Sequence, residues 1–146
     1  MFSKVLVLCV GNICRSPMAE AMLRQRLQGR DVQVASAGLK ACVGAGIDPN
    51  AQAVLQQAHL DGSAHRACQV SPDMLRWAEL VLVMEQHHIS AVVNDAPQVR
   101  GKAFLIGKWQ NDQEIADPFR RPKKEFQTTY QLLSRCIDDW LPYLSH

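Results

Sequence analysis

The chain has 146 residues, a length that suits one domain with a sizeable core and requires no disulfide or metal for stability. Hydrophobic residues make up 47% and charged residues 21%, which is typical of globular proteins and excludes a disordered chain. The formal net charge of +2 is too small to favour nucleic acid as a partner.

Neither the apolar runs nor the cysteines point to an extracytoplasmic protein. The longest runs, VLVLCV and LVLVM, are far shorter than the roughly 20 residues that span a bilayer. The opening MFSKVLVLCVGN lacks the small-residue cleavage site of a signal peptide. Five cysteines without CxxC spacing favour neither a disulfide framework nor a zinc site. We therefore expect a cytoplasmic protein with free thiols and no membrane insertion.

The first half of the chain begins with two predicted strands that flank a helix. KVLVLCV is a continuous apolar run, typical of a parallel strand covered on both faces. Pro17 opens a helix over MAEAMLRQRLQG, which Gly29 ends, and VQVASAG alternates as a strand that ends at Gly38. The Gly-rich LKACVGAGIDP is predicted to be a loop, and NAQAVLQQAHL a helix.

The second half repeats the alternation. SPDMLRWA predicts a capped helix, ELVLVM a buried strand, EQHHISAVVND a short helix and KAFLIG a fourth strand. The last helix is predicted from about Lys123 to Leu144, with its buried side formed by Phe126, Tyr130, Leu133, Ile137 and Leu141. This order predicts a single α/β domain over residues 1–146, with a four-stranded parallel sheet between two helical layers. Ligands of such sheets bind beyond the carboxyl ends of the strands.

The segment CVGNICRSP, residues 9–17, lies at one of those strand ends. A loop from a strand into a helix can turn several backbone N–H groups and the positive helix end toward one tetrahedral anion. Gly11 permits the unusual backbone conformation, and Arg15 offers a planar fork for two phosphate oxygens. The predicted phosphate-binding residues are Val10, Gly11, Asn12, Ile13, Cys14, Arg15 and Ser16.

Cys9 lies at the bottom of this predicted loop. The loop N–H groups, the helix dipole and Arg15 should favour its thiolate, in line with a bound phosphorus atom. Ser16, expected at the helix cap, either donates to that thiolate or caps the first turn. A strand cysteine alone is often a small core residue, but one anion explains the whole C-x5-R-S pattern. The loop lacks the GK[ST] of a Walker motif.

Three landmarks, CVGNICRSP, SAG at 36–38 and DPF at 117–119, together resemble the low-molecular-weight protein tyrosine phosphatases over essentially the whole chain. The resemblance implies a flavodoxin-like fold of the phosphotyrosine phosphatase I type, with neither cofactor nor metal. VGAGIDP, ME at 84–85 and GKWQNDQEIADPF are most similar to the bacterial branch that acts beside tyrosine autokinases of capsule and exopolysaccharide export. The implied partner is a phosphotyrosine protein, specifically such an autokinase.

The resemblance also implies a role for each matched residue. Cys9 would be the nucleophile, Arg15 the phosphate clamp, Ser16 the group that stabilises the leaving thiolate and Asn12 the residue that shapes the loop. Asp117 would be the general acid, and the sequence agrees, because displacing a phenolate needs a proton donor and Asp117 lies in a predicted exposed loop.

Further residues carry supporting expectations. The resemblance implies that His65 supports Asn12, although a buried histidine is often only a core residue. It also implies that Cys14 forms a reversible disulfide with Cys9 that protects the nucleophile from over-oxidation. Phe119 and Ile13 are expected to form the wall for the substrate ring. Because LKACVGAG has no aromatic residue, we expect the opposite wall to be aliphatic.

Two charged motifs are given lesser weight. His87 and His88 receive no metal-ligand role, because adjacent residues on a helix point to different faces and no third ligand has suitable spacing. RRPKK at 120–124 is more often a solvated helix start, but beside Asp117 it could meet acidic substrate peptides.

Three rival functions stay open. Thioredoxin-coupled arsenate reductases share the C-x5-R loop but need two further cysteines near the start of the second half, and none lies between 68 and 136 here. Protein-arginine phosphatases carry Thr where this loop has Ile13, whose apolar side chain favours tyrosine. A phosphopeptide-binding module would need neither Cys9 nor Asp117.

Overall fold

The computed structural model describes all 146 residues, Met1–His146. Its four parallel strands pair in the order β2-β1-β3-β4 and span Lys4–Cys9 (β1), Gln33–Gly38 (β2), Leu80–Val83 (β3) and Ala103–Leu105 (β4). The five helices span Arg15–Arg26 (α1), Pro49–Gln57 (α2), Pro72–Trp77 (α3), Gln86–Asp95 (α4) and Lys123–Trp140 (α5). This architecture confirms the predicted α/β fold. None of the helices combines the length and apolar character that crossing a membrane requires.

Alternate residues of β1 face two separate cores. Val5 and Val7 pack in a cluster with side chains from α1, α2 and α5, whereas Leu6 and Leu8 pack with side chains from α3 and α4. All four side chains are fully buried. The continuous apolar run in the sequence therefore reflects a strand that is covered on both faces.

The start of α1 differs from the prediction. The helix begins at Arg15, two residues before Pro17, and Cys14 is its N-cap residue. The Cys14 carbonyl accepts the N–H of Met18 at 3.1 Å. Pro17 is tolerated at the third helical position, because an N–H there would have no acceptor within the helix. The expectation that Ser16 lies at the helix cap is therefore wrong.

The end of α5 also differs from the prediction. The helix ends at Trp140, and residues Leu141–Tyr143 form a 3-10 turn. Pro142 explains this end, because its ring and missing N–H disfavour a further α-helical turn. The fully buried side of α5 includes Cys136 and Trp140, whereas Tyr130 and Leu141 are only partly buried.

The strand order places a ligand-binding edge between β1 and β3. After β1 the chain enters α1 on one face of the sheet, and after β3 it enters α4 on the other face. The two connections diverge at the carboxyl ends of neighbouring strands and leave a crevice between them. Cys9 ends β1 at this crevice, and Glu85 lies two residues beyond the end of β3.

Candidate active site

The loop between β1 and α1 turns its carbonyls outward and leaves its amides free. Six consecutive carbonyl oxygens, from Cys9 to Cys14, each accept a hydrogen bond from the surrounding protein; the donors are the N–H groups of Leu39, Lys40, Cys42, Asp48 and Met18 and the His65 ring. No N–H group of Val10–Ser16 donates to a protein acceptor. The loop therefore presents a row of unpaired donors to one concave point, a geometry that suits a tetrahedral oxyanion.

Asn12 holds this loop in its curled form. Its backbone has a φ of 58°, in the left-handed region that Asn adopts more readily than most residues. Its side chain accepts the backbone N–H of Cys68 at 3.0 Å, and His65 Nε2 lies 2.6 Å from its carbonyl oxygen. The structure thus brings His65 onto the Asn12 backbone, the contact that the resemblance implied.

A chain of hydrogen bonds connects Cys9 to the opposite side of the loop. The Cys9 thiol, only 2% exposed, lies 2.9 Å from the Ser16 hydroxyl. The Asn12 amide donates to Ser16 Oγ at 2.7 Å and to Ser36 Oγ at 3.0 Å, and Ser36 donates to the Glu20 carboxylate at 2.8 Å. Because Ser16 already accepts from Asn12, its own proton is available for the Cys9 sulfur.

Arg15 is buried, and one of its terminal nitrogens is held by the protein. Nη1 donates to Glu85 Oε2 at 2.6 Å and to the Ile115 carbonyl at 2.8 Å. Arg15 as a whole is only 1% exposed. Nη2 has only the Asp117 carboxylate nearby, at 3.8 Å, and Nε has no partner. The Nε–Nη2 edge can therefore bind two oxygens of one phosphate group.

The salt bridge with Arg15 also determines the ionisation of Glu85. Partial burial by itself raises the pKa of this carboxyl, but the hydrogen bond and positive charge of Arg15 hold it below its ordinary value. Glu85 is therefore a carboxylate at neutral pH and compensates the buried guanidinium.

Asp117 reaches the same pocket from the loop that precedes α5. One of its carboxylate oxygens accepts the N–H of Phe119 at 3.1 Å, and the other is the oxygen near Arg15. The Ile115 N–H donates to the Met84 carbonyl at 2.9 Å, which ties this loop to the end of β3. The Asp117 side chain is 48% exposed, as a group that exchanges protons with solvent must be.

The pocket above Cys9 has a volume of about 200 Å³. Ile13 and Phe119 both line it, and Phe119 is 42% exposed at its mouth. Lys40 and Cys42, from the segment after β2, also line it. That segment was expected to contribute an aliphatic wall, and the residues it contributes are a lysine and a cysteine.

Cys14 shares this pocket with Cys9, and both thiols are reduced. Burial and the neighbouring carboxylates of Asp48 and Asp117 raise the pKa of Cys14 far above its ordinary value. Cys14 is therefore a neutral thiol, and it is not an alternative nucleophile at neutral pH.

The imidazoles of His87 and His88 contact one another, with ring centroids 4.5 Å apart, and both lie 3.5 Å from Glu85. His87 is exposed and His88 buried, as residues on different faces are, but the expectation that they have no third partner nearby is wrong, because Glu85 lies beside both rings. His88 is fully buried, and its Nδ1 accepts the Glu85 backbone N–H at 3.2 Å. The neutral ring then carries its proton on Nε2, so that this nitrogen offers no lone pair to a metal.

Sequence reasoning missed three residues of the site: Glu20, Ser36 and Glu85. Ser36 lies within the SAG landmark, and Glu20 follows Ser16 by one helical turn, on a helix whose neighbouring positions are apolar. Glu85 directly follows the predicted strand ELVLVM and lies two residues beyond the end of β3, at the ligand-binding edge of the sheet. A search for polar residues at strand ends would have found it.

Comparison with known proteins agrees with this geometry. Residues 4–146 match the family model described as low molecular weight phosphotyrosine protein phosphatase. The low molecular weight protein-tyrosine-phosphatase Wzb of Salmonella typhimurium is 43% identical over 145 residues, which cover 99% of this chain and 96% of that protein. The chain belongs to the low molecular weight phosphotyrosine protein phosphatase family, as the resemblance implied.

Solved structures give the same result. The crystal structure of the Erwinia amylovora tyrosine phosphatase AmsI matches with a TM-score of 0.94 and 42% identity, covering 100% of this chain and 95% of that one. Vibrio vulnificus Wzb in complex with benzylphosphonate matches with a TM-score of 0.94 and 36% identity, covering 99% and 100%. The YwlE arginine phosphatase of Geobacillus stearothermophilus is also similar, with a TM-score of 0.89 and 31% identity, covering 99% of each chain.

Proposed function

We propose that the chain is a protein tyrosine phosphatase that hydrolyses phosphotyrosine through a cysteinyl-phosphate intermediate on Cys9. One observation carries the proposal: the unpaired N–H groups of residues 10–16 and the free edge of Arg15 surround a pocket that contains the buried Cys9 thiol. These donors match the three equatorial oxygens of a phosphoryl group in transfer.

In the first step the Cys9 sulfur attacks phosphorus while the bond to the tyrosyl oxygen breaks. Asp117 donates its proton to that oxygen, so that tyrosine leaves as a neutral phenol. The loop amides and Arg15 bind the equatorial oxygens and stabilise the charge that they carry in the transition state.

In the second step Asp117, now a carboxylate, accepts a proton from water as the water oxygen attacks the cysteinyl phosphate. The sulfur–phosphorus bond breaks, and inorganic phosphate is released. Ser16 donates its hydrogen bond to the leaving Cys9 thiolate at 2.9 Å, and Asn12 keeps the Ser16 hydroxyl in that orientation.

The depth of the pocket favours phosphotyrosine over phosphoserine. A thiol that is 2% exposed lies beyond the reach of a phosphate on a short alkyl side chain, whereas an aryl phosphate extends to it. Ile13 and Phe119 then pack against the ring. Benzylphosphonate, the ligand of the similar Vibrio Wzb, has the same combination of ring and tetrahedral group.

Arginine phosphatase activity is the second candidate, because the similar YwlE has it. Ile13 argues against it, since an apolar side chain at the loop suits an aromatic ring and offers no hydrogen bond to a guanidinium. We further infer that the enzyme acts in the cytoplasm on a tyrosine autokinase of polysaccharide export. This inference is supported by the similarity to Wzb and AmsI over almost the whole chain.

The test is phosphate release from matched phosphotyrosine, phosphoarginine and phosphoserine peptides, with chelator present. The native protein should release phosphate from phosphotyrosine only, and the Cys9→Ser variant should release none while still binding the peptide. A preference for phosphoarginine would replace the proposal with the second candidate. Binding without release by the native protein would leave a recognition module.

A further inference from the structure

Five positively charged residues belong to the two segments that border the pocket, and we call them the basic rim: Lys40, which lines the pocket, and Arg120, Arg121, Lys123 and Lys124, which follow the lining residue Phe119 in the chain. All five are exposed, and none lies within 4 Å of a carboxylate in an ion pair. The whole chain has a formal charge of only +2, so that this concentration of unpaired cations is local.

Contacts with the pocket place two members of the basic rim, one from each segment, beside it. The Lys40 N–H donates to the Val10 carbonyl at 2.9 Å, and the Lys40 side chain lines the pocket. On the other segment, the Arg120 guanidinium lies 5.3 Å from the centre of the Phe119 ring, which also lines the pocket. A tight turn closed by the Arg121 N–H and the Pro118 carbonyl, at 2.9 Å, connects this side to α5.

The arrangement of the basic rim is unfavourable for the free protein. Lys123 and Lys124 occupy the first turn of α5, where the helix dipole already contributes positive charge. Pro122 provides no side-chain cap, and Glu125 is the only acidic residue of that turn. An acidic ligand would reduce this concentration of positive charge at the helix N-terminus.

We propose that the basic rim binds acidic residues on both sides of the target phosphotyrosine, so that the preferred substrates are acidic phosphopeptide segments. The proposal rests on the proposed tyrosine phosphatase function. When the phosphotyrosine ring lies between Ile13 and Phe119, the peptide backbone must cross the mouth, and its flanking side chains lie beside the basic rim. Aspartate, glutamate and further phosphotyrosine residues carry the complementary charge.

The test compares kcat/KM for three phosphotyrosine peptides whose flanking residues are acidic, neutral or basic and which are otherwise identical. Phenyl phosphate, which has no flanking residues, is the reference substrate. The native enzyme should prefer the acidic over the neutral peptide by about tenfold at low salt, the sum of several exposed ion pairs. Because exposed pairs are screened, this preference should fall to about twofold at high salt.

The Lys123→Glu/Lys124→Glu double variant tests the assignment to the basic rim. It should lose most of the preference for the acidic peptide while its rate with phenyl phosphate stays within about twofold of the native rate. The substitutions favour the helix N-terminus, so that loss of folding is not a confounding outcome. Arg100→Glu/Arg135→Glu, which changes the net charge equally at two other exposed positions, is the control and should keep the preference.

Four results would overturn the proposal. Three concern peptides: equal rates for the three peptides with the native enzyme, an unchanged preference in the Lys123/Lys124 variant, or equal loss of preference in the control. The fourth is sedimentation of the native protein with phosphatidylserine vesicles together with no peptide preference, which would assign the basic rim to a lipid surface. Failure of the proposed function is distinguishable, because it would abolish hydrolysis of phenyl phosphate as well.

Discussion

Arg15 shows how one side chain can stabilise the fold and bind substrate. Its Nη1 is fixed by Glu85 and the Ile115 carbonyl, whereas Nε and Nη2 are left for the ligand. A buried guanidinium without a counter-charge would be strongly unfavourable, and a guanidinium with all its donors occupied could not bind phosphate. The division of its donors satisfies both requirements without any movement when substrate arrives, which is the preorganisation that phosphoryl transfer requires.

Substitution of Asp117 tests the assigned acid at the scale of one residue. Asp117→Asn should lower the phosphotyrosine rate by about a hundredfold or more, because tyrosine must then leave as a phenolate. The effect should be smaller with 4-nitrophenyl phosphate, whose leaving group needs less protonation. An unchanged phosphotyrosine rate would contradict the assignment.

Cys14 permits a second test at this scale. Peroxide should oxidise the Cys9 thiolate to a sulfenic acid; the Cys14 sulfur then attacks that sulfur while its proton passes to the departing hydroxyl, so that a disulfide forms and water leaves. Treated native enzyme should regain most of its activity on reduction, whereas Cys14→Ala should regain little, because its Cys9 oxidises further.

Cys42→Ala is the matched control, since Cys42 also lines the pocket but is exposed. This variant should recover as the native enzyme does. Mass spectrometry of the treated native enzyme that found no link between Cys9 and Cys14 would contradict the prediction.

Among the structural elements, the loop from β1 to α1 depends most on a single side chain, that of Asn12. Asn12→Ala should lower the free energy of unfolding by about 2–4 kcal/mol, because the Cys68 N–H loses its acceptor and alanine is strained at this φ. Asn12→Gly loses the same acceptor, but it should be about 1 kcal/mol more stable than Asn12→Ala, because glycine adopts this backbone conformation freely. Urea denaturation of both variants measures the difference. Equal stability of the alanine variant and the native protein would show that the loop does not depend on this residue.

The elements also show which features a sequence reveals. β1, the loop and the start of α1 are contiguous, so that a buried strand, Gly11 and Arg15 together predict an anion site from local pattern alone. Ser36 lies in β2 and Glu85 follows β3, and only the strand order β2-β1-β3-β4 brings them to the loop after β1. The end of α5 was predicted too late, because the apolar periodicity continues through Leu141 and the effect of Pro142 was not weighed.

At the scale of the whole molecule, buried His88 makes stability depend on pH. Burial and the nearby Arg15 charge lower its pKa to about 4, from an ordinary 6.5. Between these values the unfolded chain binds a proton that the folded chain does not. The free energy of unfolding should therefore fall as pH decreases from about 6.5 to 4, by about 3 kcal/mol from this residue.

His88→Asn should make the protein less sensitive to acid. The asparagine carbonyl can accept the Glu85 backbone N–H in place of Nδ1, but it does not titrate. Urea denaturation between pH 7 and 4.5 should give a flatter dependence for the variant than for the native protein. Parallel curves would exclude His88 as a source of acid lability.

Cys9 and Cys14 belong to the same packed cluster as the buried side chains of α1, α2 and α5. The reactive thiol is therefore part of the interior that holds the protein together, and not an attachment to its surface. Partial unfolding of this interior also disrupts the loop from β1 to α1 that binds phosphate, so that partly unfolded molecules are inactive. In a cell this arrangement protects phosphorylated proteins from damaged enzyme, because a molecule that has lost its tertiary structure has also lost its phosphatase activity.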